Sequence, residues 1–179
     1  MPDWVRNKVV CNVNTAEKML SNINGKFIVD FNKLIKMPQH QPDLNKPNPF
    51  LAEDNLSTED MEKFKDNNWY DWSIKNWGCK WNAETNEVVL DKEQDIAVLN
   101  FDTPYDRPKP IIEKLYKKTL KDRILWNCEY ECDGEILNIY NKKNRFSKVK
   151  ITPELQDYEG IIEKYLDAPE IEQEMECEM

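Results

Sequence analysis

The sequence predicts an α+β protein in which one antiparallel sheet carries a helical insertion. Segments with strand and helix periodicity follow one another in the order β-α-β, insertion, β-α-β-β, helix. Four of the six tryptophans lie between Trp69 and Trp81, inside the insertion. Without the insertion the order is βαββαβ, which predicts a ferredoxin-like antiparallel sheet with two helices on one face, followed by a C-terminal helix.

The first third of the chain predicts a strand, a short helix and a second strand. Residues 4–12 alternate in polarity and are rich in β-branched side chains, as in a strand. Asn14-Thr15 is expected to cap a helix over residues 16–23, and Asn24-Gly25 to form a turn or a helix C-cap. Residues 27–31 predict the second strand of the sheet.

The insertion covers about residues 37–94 and contains a tryptophan-rich helix. Four prolines within residues 37–50 predict a loop, because proline lacks an amide donor and fixes φ. Ser57 is the expected N-cap of a helix from about Thr58 to Trp77, and Gly78 is the expected stop. An extended segment is expected at residues 79–83, and a turn-like stretch with a short ribbon at residues 87–90 follows it.

The tryptophan cluster allows two interpretations. Each buried indole removes roughly 150–250 Å² from water, so the rings can pack the insertion onto the sheet. Alternatively, the rings form a partner-binding or base-stacking patch, because tryptophan dominates the energetics of protein interfaces. The second interpretation requires at least one exposed ring.

The second half of the chain predicts a strand, a helix, a hairpin and a final helix. Residues 96–102 are apolar on both faces, as expected of a strand inside a sheet. Residues 103–110 are rich in proline and lead into a helix over residues 111–120. Further expected elements are strands at 124–132 and 135–140 joined at Asp133-Gly134, a strand at 145–151 and a helix at 153–166.

The predicted domain organisation is one ferredoxin-like domain over residues 1–151, with residues 152–179 forming the C-terminal helix and a disordered acidic tail. The net charge is −9, with acidic residues concentrated in 51–102 and 151–179 and basic residues in 103–150. No apolar run is long enough to span a bilayer, and the N-terminus lacks a signal-peptide pattern. Five scattered cysteines fit reduced thiols, so we expect a cytoplasmic protein without membrane association.

No combination of residues predicts catalysis, a cofactor or a metal site. The single histidine, His40, lies among prolines without an identifiable catalytic partner. The cysteines lack the paired spacing of a zinc site, and four scattered glycines form no phosphate-binding loop. Acidic pairs are expected by chance in so acidic a chain; they are Asp60 with Asp71, Glu129 with Glu131, and Asp102 with Asp106.

Three stretches resemble the YubB ferredoxin-like family of phages, plasmids and integrated elements. They are the opening residues 1–7, the segment from Trp72 to Trp81 with its Trp-Gly-x-Lys-Trp motif, and the connection from Phe101 to Pro110. The resemblance covers roughly residues 1–140. It implies a ferredoxin-like core with a helical insertion, and it supplies no activity and no catalytic residues. The acidic C-terminal tail departs from the family pattern.

Three functions follow as hypotheses. The first is a non-enzymatic binding protein of a phage or other mobile element, and a candidate inhibitor, which contacts a host nucleic-acid-handling or defence protein. Its expected contact residues are Glu59, Asp60, Glu62, Asp66, Trp69, Tyr70, Asp71 and Trp81. The alternative is a nucleic-acid-binding module that uses the basic segments 107–123 and 142–150. A small-molecule enzyme is the third hypothesis, and the sequence names no residues for it.

Overall fold

A computed structural model of the protein describes residues 2–37, 69–119, 122–131, 134–140 and 149–167. Its strands are β1 (Trp4–Cys11), β2 (Leu20–Ile23), β3 (Lys26–Val29), β4 (Glu84–Asp91), β5 (Ile96–Pro104), β6 (Ile124–Tyr130) and β7 (Gly134–Tyr140). Its helices are α1 (Val13–Glu17), α2 (Trp69–Trp77), α3 (Lys109–Lys118) and α4 (Glu159–Asp167), with 3₁₀ turns at Phe31–Lys33 and Pro153–Tyr158. The predicted α+β class is confirmed.

Five strands form one antiparallel sheet in the order β4-β5-β1-β6-β7. β1 is the central strand, and β5 lies between β1 and β4. The interior position predicted for residues 96–102 is therefore confirmed, and the side chains from Ile96 to Leu99 are buried. β2 and β3 pair with each other in a separate two-stranded sheet.

The two faces of the main sheet are covered differently. One face carries α1, α2 and α3, and its core includes Phe101, which makes edge contacts with Phe31 and Trp126 at ring separations of 6.0 and 5.8 Å. The other face carries α4 and the 3₁₀ turn before it, which pack on Val10 and Val98. Val149 and Ile151 pack against the same cluster, so within the described residues the second layer extends beyond α4 and the 3₁₀ turn.

Residues 12–29 differ from the prediction. Helix α1 begins earlier than predicted, because Asn12 and not Asn14-Thr15 is its N-cap, with the Asn12 side-chain oxygen accepting a hydrogen bond from the Thr15 amide at 2.7 Å. The helix ends at Glu17, shortly before β2 begins. Residues 20–23, predicted as helix, form strand β2. Asn24-Gly25 is the turn of a hairpin, with φ of 53° and 82°, which suits these two residue types. The strand predicted at 27–31 is thus β3 of the small sheet, and its assignment to the main sheet was wrong.

Strand β4 joins the main sheet, whereas residues 27–31, predicted as its second strand, do not. The sequence indicated only a short ribbon at 87–90, because this stretch carries polar residues on both sides of its few valines and leucine. β4 lies at the edge of the sheet, where one face can remain polar. Pairing with the apolar β5 therefore decides its conformation.

Other boundaries shift by a few residues. α3 begins at Lys109, two residues before the predicted start, with Pro108 as its N-cap and Pro110 in its first turn, while the predicted C-terminal helix divides into a 3₁₀ turn and α4. Residues 149–151 are not a strand. The predictions for 38–68, Asp133, 145–148 and the acidic tail from 168 onwards lie outside the described residues.

Asp30 joins the small sheet to the segment that follows α2. Its carboxylate accepts hydrogen bonds from Asn82 Nδ2 at 2.8 Å and from Ser21 Oγ at 2.8 Å, and the Asn32 amide donates to it at 3.0 Å. Burial acts to raise the pKa of Asp30, but the hydrogen bonds from these three residues outweigh it and hold the pKa below its ordinary value of 3.8.

Asp30→Ala is expected to lower the free energy of unfolding by about 2 kcal/mol at neutral pH, because charge-assisted bonds are lost. Since the pKa of Asp30 is lower in the folded than in the unfolded chain, this stabilisation is present above 3.8 and disappears as the pH falls below it. Urea unfolding of both proteins across acidic pH measures the difference. An equal loss from Asp157→Ala, which removes an exposed carboxylate, would contradict the assignment to Asp30.

Candidate partner-binding surface

Helix α2 is held on the sheet by Trp77. The ring is buried, with 3% of its surface exposed, and its Nε1 donates to the carbonyl oxygen of Ile35 at 2.9 Å. Edge contacts join it to Phe31 at 5.9 Å and to Trp72 at 5.4 Å. The interpretation that tryptophan packs the insertion onto the sheet is confirmed for this ring, and the helix stop at Gly78 is confirmed as well.

The chain leaves α2 through a tight turn at Gly78. Its φ of +83° lies in the left-handed region, and a Cβ at this position would lie 2.8 Å from Pro110 Cδ and 3.1 Å from the carbonyl oxygen of Arg107. The turn therefore packs directly against the start of α3. In the segment 79–83, predicted as extended, residues 79–81 form bends after this turn.

Side chains of α2 and of the turn fix the segment after Gly78. The hydroxyl of the buried Ser73 lies 2.7 Å from the carbonyl oxygen of Lys80 and 2.9 Å from that of Tyr70. The buried Cys79 thiol donates to the carbonyl oxygen of Trp81 at 3.3 Å. These contacts place the side chains of Lys80 and Trp81 at the surface beside the first turn of α2.

Four side chains then form a surface that we call the aromatic end, namely Trp4, Tyr70, Lys80 and Trp81. The Lys80 ammonium lies 5.2 Å from the centre of the Trp81 ring and 5.9 Å from that of Tyr70, within the range of cation–π attraction. Trp81 makes an edge contact with Trp4 at 6.0 Å. Tyr70 is 45% exposed, and the two indoles are half-buried.

The structure brings together only part of the predicted contact set. Tyr70 and Trp81 belong to the aromatic end, Asp71 is exposed beside them, and Trp69 is half-buried against Tyr70 at a ring separation of 5.8 Å. The predicted residues Glu59, Asp60, Glu62 and Asp66 lie outside the described residues. The sequence did not identify Trp4 and Lys80 as members, although Trp4 falls on the face of β1 opposite the Val5 and Val9 face.

Trp126 has a structural role. It is fully buried, and its Nε1 donates to Asn7 Oδ1 at 3.0 Å. The Asn7 amide in turn donates to Thr103 Oγ1 at 3.1 Å and to the Val5 carbonyl oxygen at 3.0 Å. Hydrogen bonding satisfies these buried groups, which would otherwise destabilise the fold.

Burial raises the pKa of two core thiols and of the half-buried Tyr130 hydroxyl. Burial, followed by the charge of Asp106, raises the pKa of the Cys79 thiol to about 12, and burial also raises the pKa of Cys11. The predicted small buried thiols are confirmed at Cys11, Cys79 and Cys128. Burial, and then the hydrogen bond from its hydroxyl to Asp106, raise the pKa of Tyr130. The raised pKa keeps Cys11, Cys79 and Tyr130 protonated at neutral pH, so none of these three groups is an activated nucleophile.

One member of each of two acidic pairs, Asp102 with Asp106 and Glu129 with Glu131, accepts hydrogen bonds that join parts of the fold. Asp106 accepts from the Tyr130 hydroxyl at 2.5 Å and from the Arg107 amide at 2.7 Å, while Glu131 accepts from the Trp4 amide at 3.3 Å. Among the described side chains, no three of His, Cys, Asp or Glu are grouped as ligands of a metal ion. Within the same ranges, no helix is long and apolar enough to cross a membrane.

Comparisons with protein-family models, with curated proteins and with solved structures give no match. Similarity to a known protein therefore supplies no function for this chain. The arrangement of its surface side chains is the remaining basis for a functional proposal.

Proposed function

We propose that this protein is a non-enzymatic, cytoplasmic binding protein of a phage or other mobile element, and that it holds a host protein through the aromatic end. The supporting observation is the set of rings at that surface. Tyr70 is substantially exposed, while the Trp81 ring is held in place by contacts with Trp4 and with Lys80. Rigid aromatic rings with an adjacent cation give large contact area at little entropic cost, as in the anchors of protein interfaces.

The proposed ferredoxin-like class and the YubB-type family belong to the same proposal. The order of β4, β5, β1 and β6, with α1 following β1 and α3 following β5, supports the class. β7 adds a fifth strand beside β6. The resemblance to proteins of mobile elements supports a host target that handles nucleic acid or acts in defence, with inhibition as the outcome.

One observation favours nucleic-acid binding as a second candidate. Lys114, Lys117 and Lys118 are exposed on α3. The two arginines of the same basic segment are buried, and Arg123 donates to the carbonyl oxygens of Tyr165 and Leu166 at the end of α4, at 3.0 and 2.9 Å. The electrostatic surface offered by residues 107–123 is therefore smaller than the sequence implies, and this ranks the candidate second.

Affinity capture from a host lysate tests the first candidate. The wild-type protein is expected to retain a stoichiometric host protein, and Trp81→Ala and Tyr70→Ala are each expected to weaken its binding at least tenfold, because truncating a central interface aromatic removes about 2 kcal/mol or more. Titration calorimetry with the purified partner measures the affinities.

The matched control is Ile23→Ala, which truncates an exposed apolar side chain at the β2–β3 hairpin, away from the aromatic end. Its affinity should equal that of the wild type. A partner that binds Trp81→Ala as tightly as wild type would overturn the proposal. Salt-dependent binding of short RNA or DNA, lost when Lys114, Lys117 and Lys118 are replaced by glutamine, would support the second candidate instead.

A further inference from the structure

The connection between β5 and α3 contains a strained turn centred on Tyr105. The φ of Tyr105 is +67°, and the Asp106 amide donates to the carbonyl oxygen of Pro104 at 2.8 Å. A three-residue hydrogen bond of this kind, with a positive φ at the central residue, forms a γ-turn that is rare and strained. Among the described residues, the other non-glycine positions with positive φ are Asn24 and Asp95, whose short polar side chains tolerate it. A bulky tyrosine in this conformation is an outlier.

Contacts on both sides hold the turn in its strained form. The Tyr105 amide donates to the carbonyl oxygen of Asp3 at 2.7 Å, which continues the pairing of β1 with β5. The Asp106 carboxylate accepts from the Tyr130 hydroxyl at 2.5 Å, and the Asp106 carbonyl oxygen accepts from the Thr103 hydroxyl at 2.8 Å. Strained backbone persists only where the surrounding structure enforces it, so these bonds fix the position of Tyr105.

Packing of the Tyr105 ring does not explain the strain. The side chain is 52% exposed, so it adds little to the core. Glycine or asparagine adopts a positive φ at a lower energetic cost. Strained positions concentrate at binding and active sites, where the strain holds a side chain in a required geometry. The tyrosine side chain itself is therefore the feature of this turn that calls for a function.

The turn is adjacent to the aromatic end on two sides. Pro104, which precedes Tyr105, is directly opposite Trp4 in the pairing of β5 with β1. Asp106, which follows Tyr105, is close enough to the Cys79 thiol for its charge to raise the pKa of that thiol. The thiol belongs to the segment that carries two members of the aromatic end. Tyr105 thus lies at the edge of the surface that the proposed function uses.

Rigidity favours a partner protein as the molecule that contacts Tyr105. A surface fixed before association loses less conformational entropy when a partner binds, and this gain offsets the strain. A segment of the same chain folds together with the turn, so it gains nothing from a ring fixed beforehand. Tyrosine contributes ring area and one hydroxyl but no charge, so it fits an apolar or amide-bearing part of a folded partner.

We propose that Tyr105 is a contact residue for the partner protein, and that the strained turn fixes its ring beside Trp4 to meet an uncharged part of the partner's surface. The inference rests on the proposed function, because it adds a ring to the aromatic end and states which chemistry that ring recognises. The ring touches the partner, whereas the backbone of the turn acts only by positioning it.

Nitration of the free, full-length protein with tetranitromethane tests whether the ring is accessible. Tyr105 and Tyr70 are about half exposed and should react first, whereas the buried Tyr116 and Tyr165 should not. Mass spectrometry of the digested protein locates the modified rings. Protection of Tyr105 in the free protein would show that another segment of the chain covers it, and this result would overturn the inference.

Two variants of Tyr105 separate the ring from the strain. Tyr105→Gly and Tyr105→Ala both remove the ring, but only glycine relieves the positive φ, so Tyr105→Gly should melt about 3 °C above Tyr105→Ala. At a position with an ordinary φ the order would be the reverse, because glycine has the larger entropy to lose on folding. Equal melting temperatures, or a higher one for Tyr105→Ala, would overturn the role assigned to the turn.

Titration calorimetry with the purified host protein, obtained by the affinity capture described above, measures the contact. Tyr105→Ala should bind at least about fivefold more weakly than wild type, as for truncation of an interface aromatic. Tyr105→Phe retains the ring and should stay within about threefold of wild type. The matched control is Phe27→Ala, which truncates an exposed ring on the β2–β3 hairpin and should leave the affinity unchanged.

The outcomes separate this inference from the proposed function. A host protein that binds Tyr105→Ala as tightly as wild type but depends on Trp81 would overturn the inference and leave the proposed function intact. Failure to capture a stoichiometric host protein, or capture that depends on neither ring, would overturn both.

Discussion

Replacing Trp77 by alanine is expected to lower the free energy of unfolding by about 4 kcal/mol, in the range for a fully buried large aromatic side chain. The substitution removes the ring that joins α2 to the core beneath β5. It also leaves the carbonyl oxygen of Ile35 without its indole donor. Both losses act on the same helix, so α2 should separate from the sheet before the rest of the core unfolds.

Urea unfolding followed by circular dichroism measures the change in stability, and hydrogen exchange of the α2 amides measures the local effect. Tyr70→Ala is the matched control on the same helix, because the Tyr70 ring is exposed. This variant should lower the free energy of unfolding by less than about 1 kcal/mol. A Trp77→Ala protein as stable as Tyr70→Ala would show that α2 contributes little to the fold, and the aromatic end would then lack its support.

Gly78→Ala is expected to lower the free energy of unfolding by about 3 kcal/mol, for two physical reasons. A left-handed conformation of a residue with a Cβ costs roughly 1–2 kcal/mol, and the new methyl group meets Pro110 and the Arg107 carbonyl at distances that require a backbone shift. The shift would move Lys80 and Trp81, so the affinity for a partner at the aromatic end should fall together with stability.

Two further glycine variants separate the conformational cost from the steric cost. Gly25→Ala shares the positive φ, at +82°, but its Cβ meets nothing within 4 Å, so it should show the conformational cost alone, about 1 kcal/mol. Gly160→Ala lies in α4 with open space around it and should stabilise the protein slightly through helix propensity, by up to about 1 kcal/mol. Equal melting temperatures for Gly78→Ala and Gly25→Ala would show that the turn does not press on α3.

Local pattern was sufficient for several elements of this fold. The apolar residues 96–102 predicted an interior strand, and the proline-rich residues 103–110 correctly predicted that a helix follows. Gly78 correctly marked the end of α2. Each of these signals depends on a few neighbouring residues whose conformational or burial preferences agree, so no information about distant contacts was needed.

Local sequence patterns failed to predict the structure where the same residues were compatible with both a helix and a strand, or with neither clearly. Leu20 to Ile23 has helical spacing with Met19, yet it pairs with residues 26–29 because the Asn24-Gly25 turn brings the two segments together. The sequence of β4 alone indicates a strand only weakly, and its pairing with β5 makes it one. In the aromatic end, Trp81 was identifiable from composition, whereas Trp4 was not, because it lies far away in the sequence.

The sequence by itself determined an α+β chain with a tryptophan helix that ends at Gly78, buried thiols and a strongly negative charge. Only the tertiary structure decided which indole is buried and which lies at the surface, and only the pairing of β5 with β1 brought the turn at Tyr105 next to Trp4. The physical reason is that burial and cross-strand neighbours depend on pairings between segments far apart in the chain, whereas caps, turns and apolar runs depend on adjacent residues.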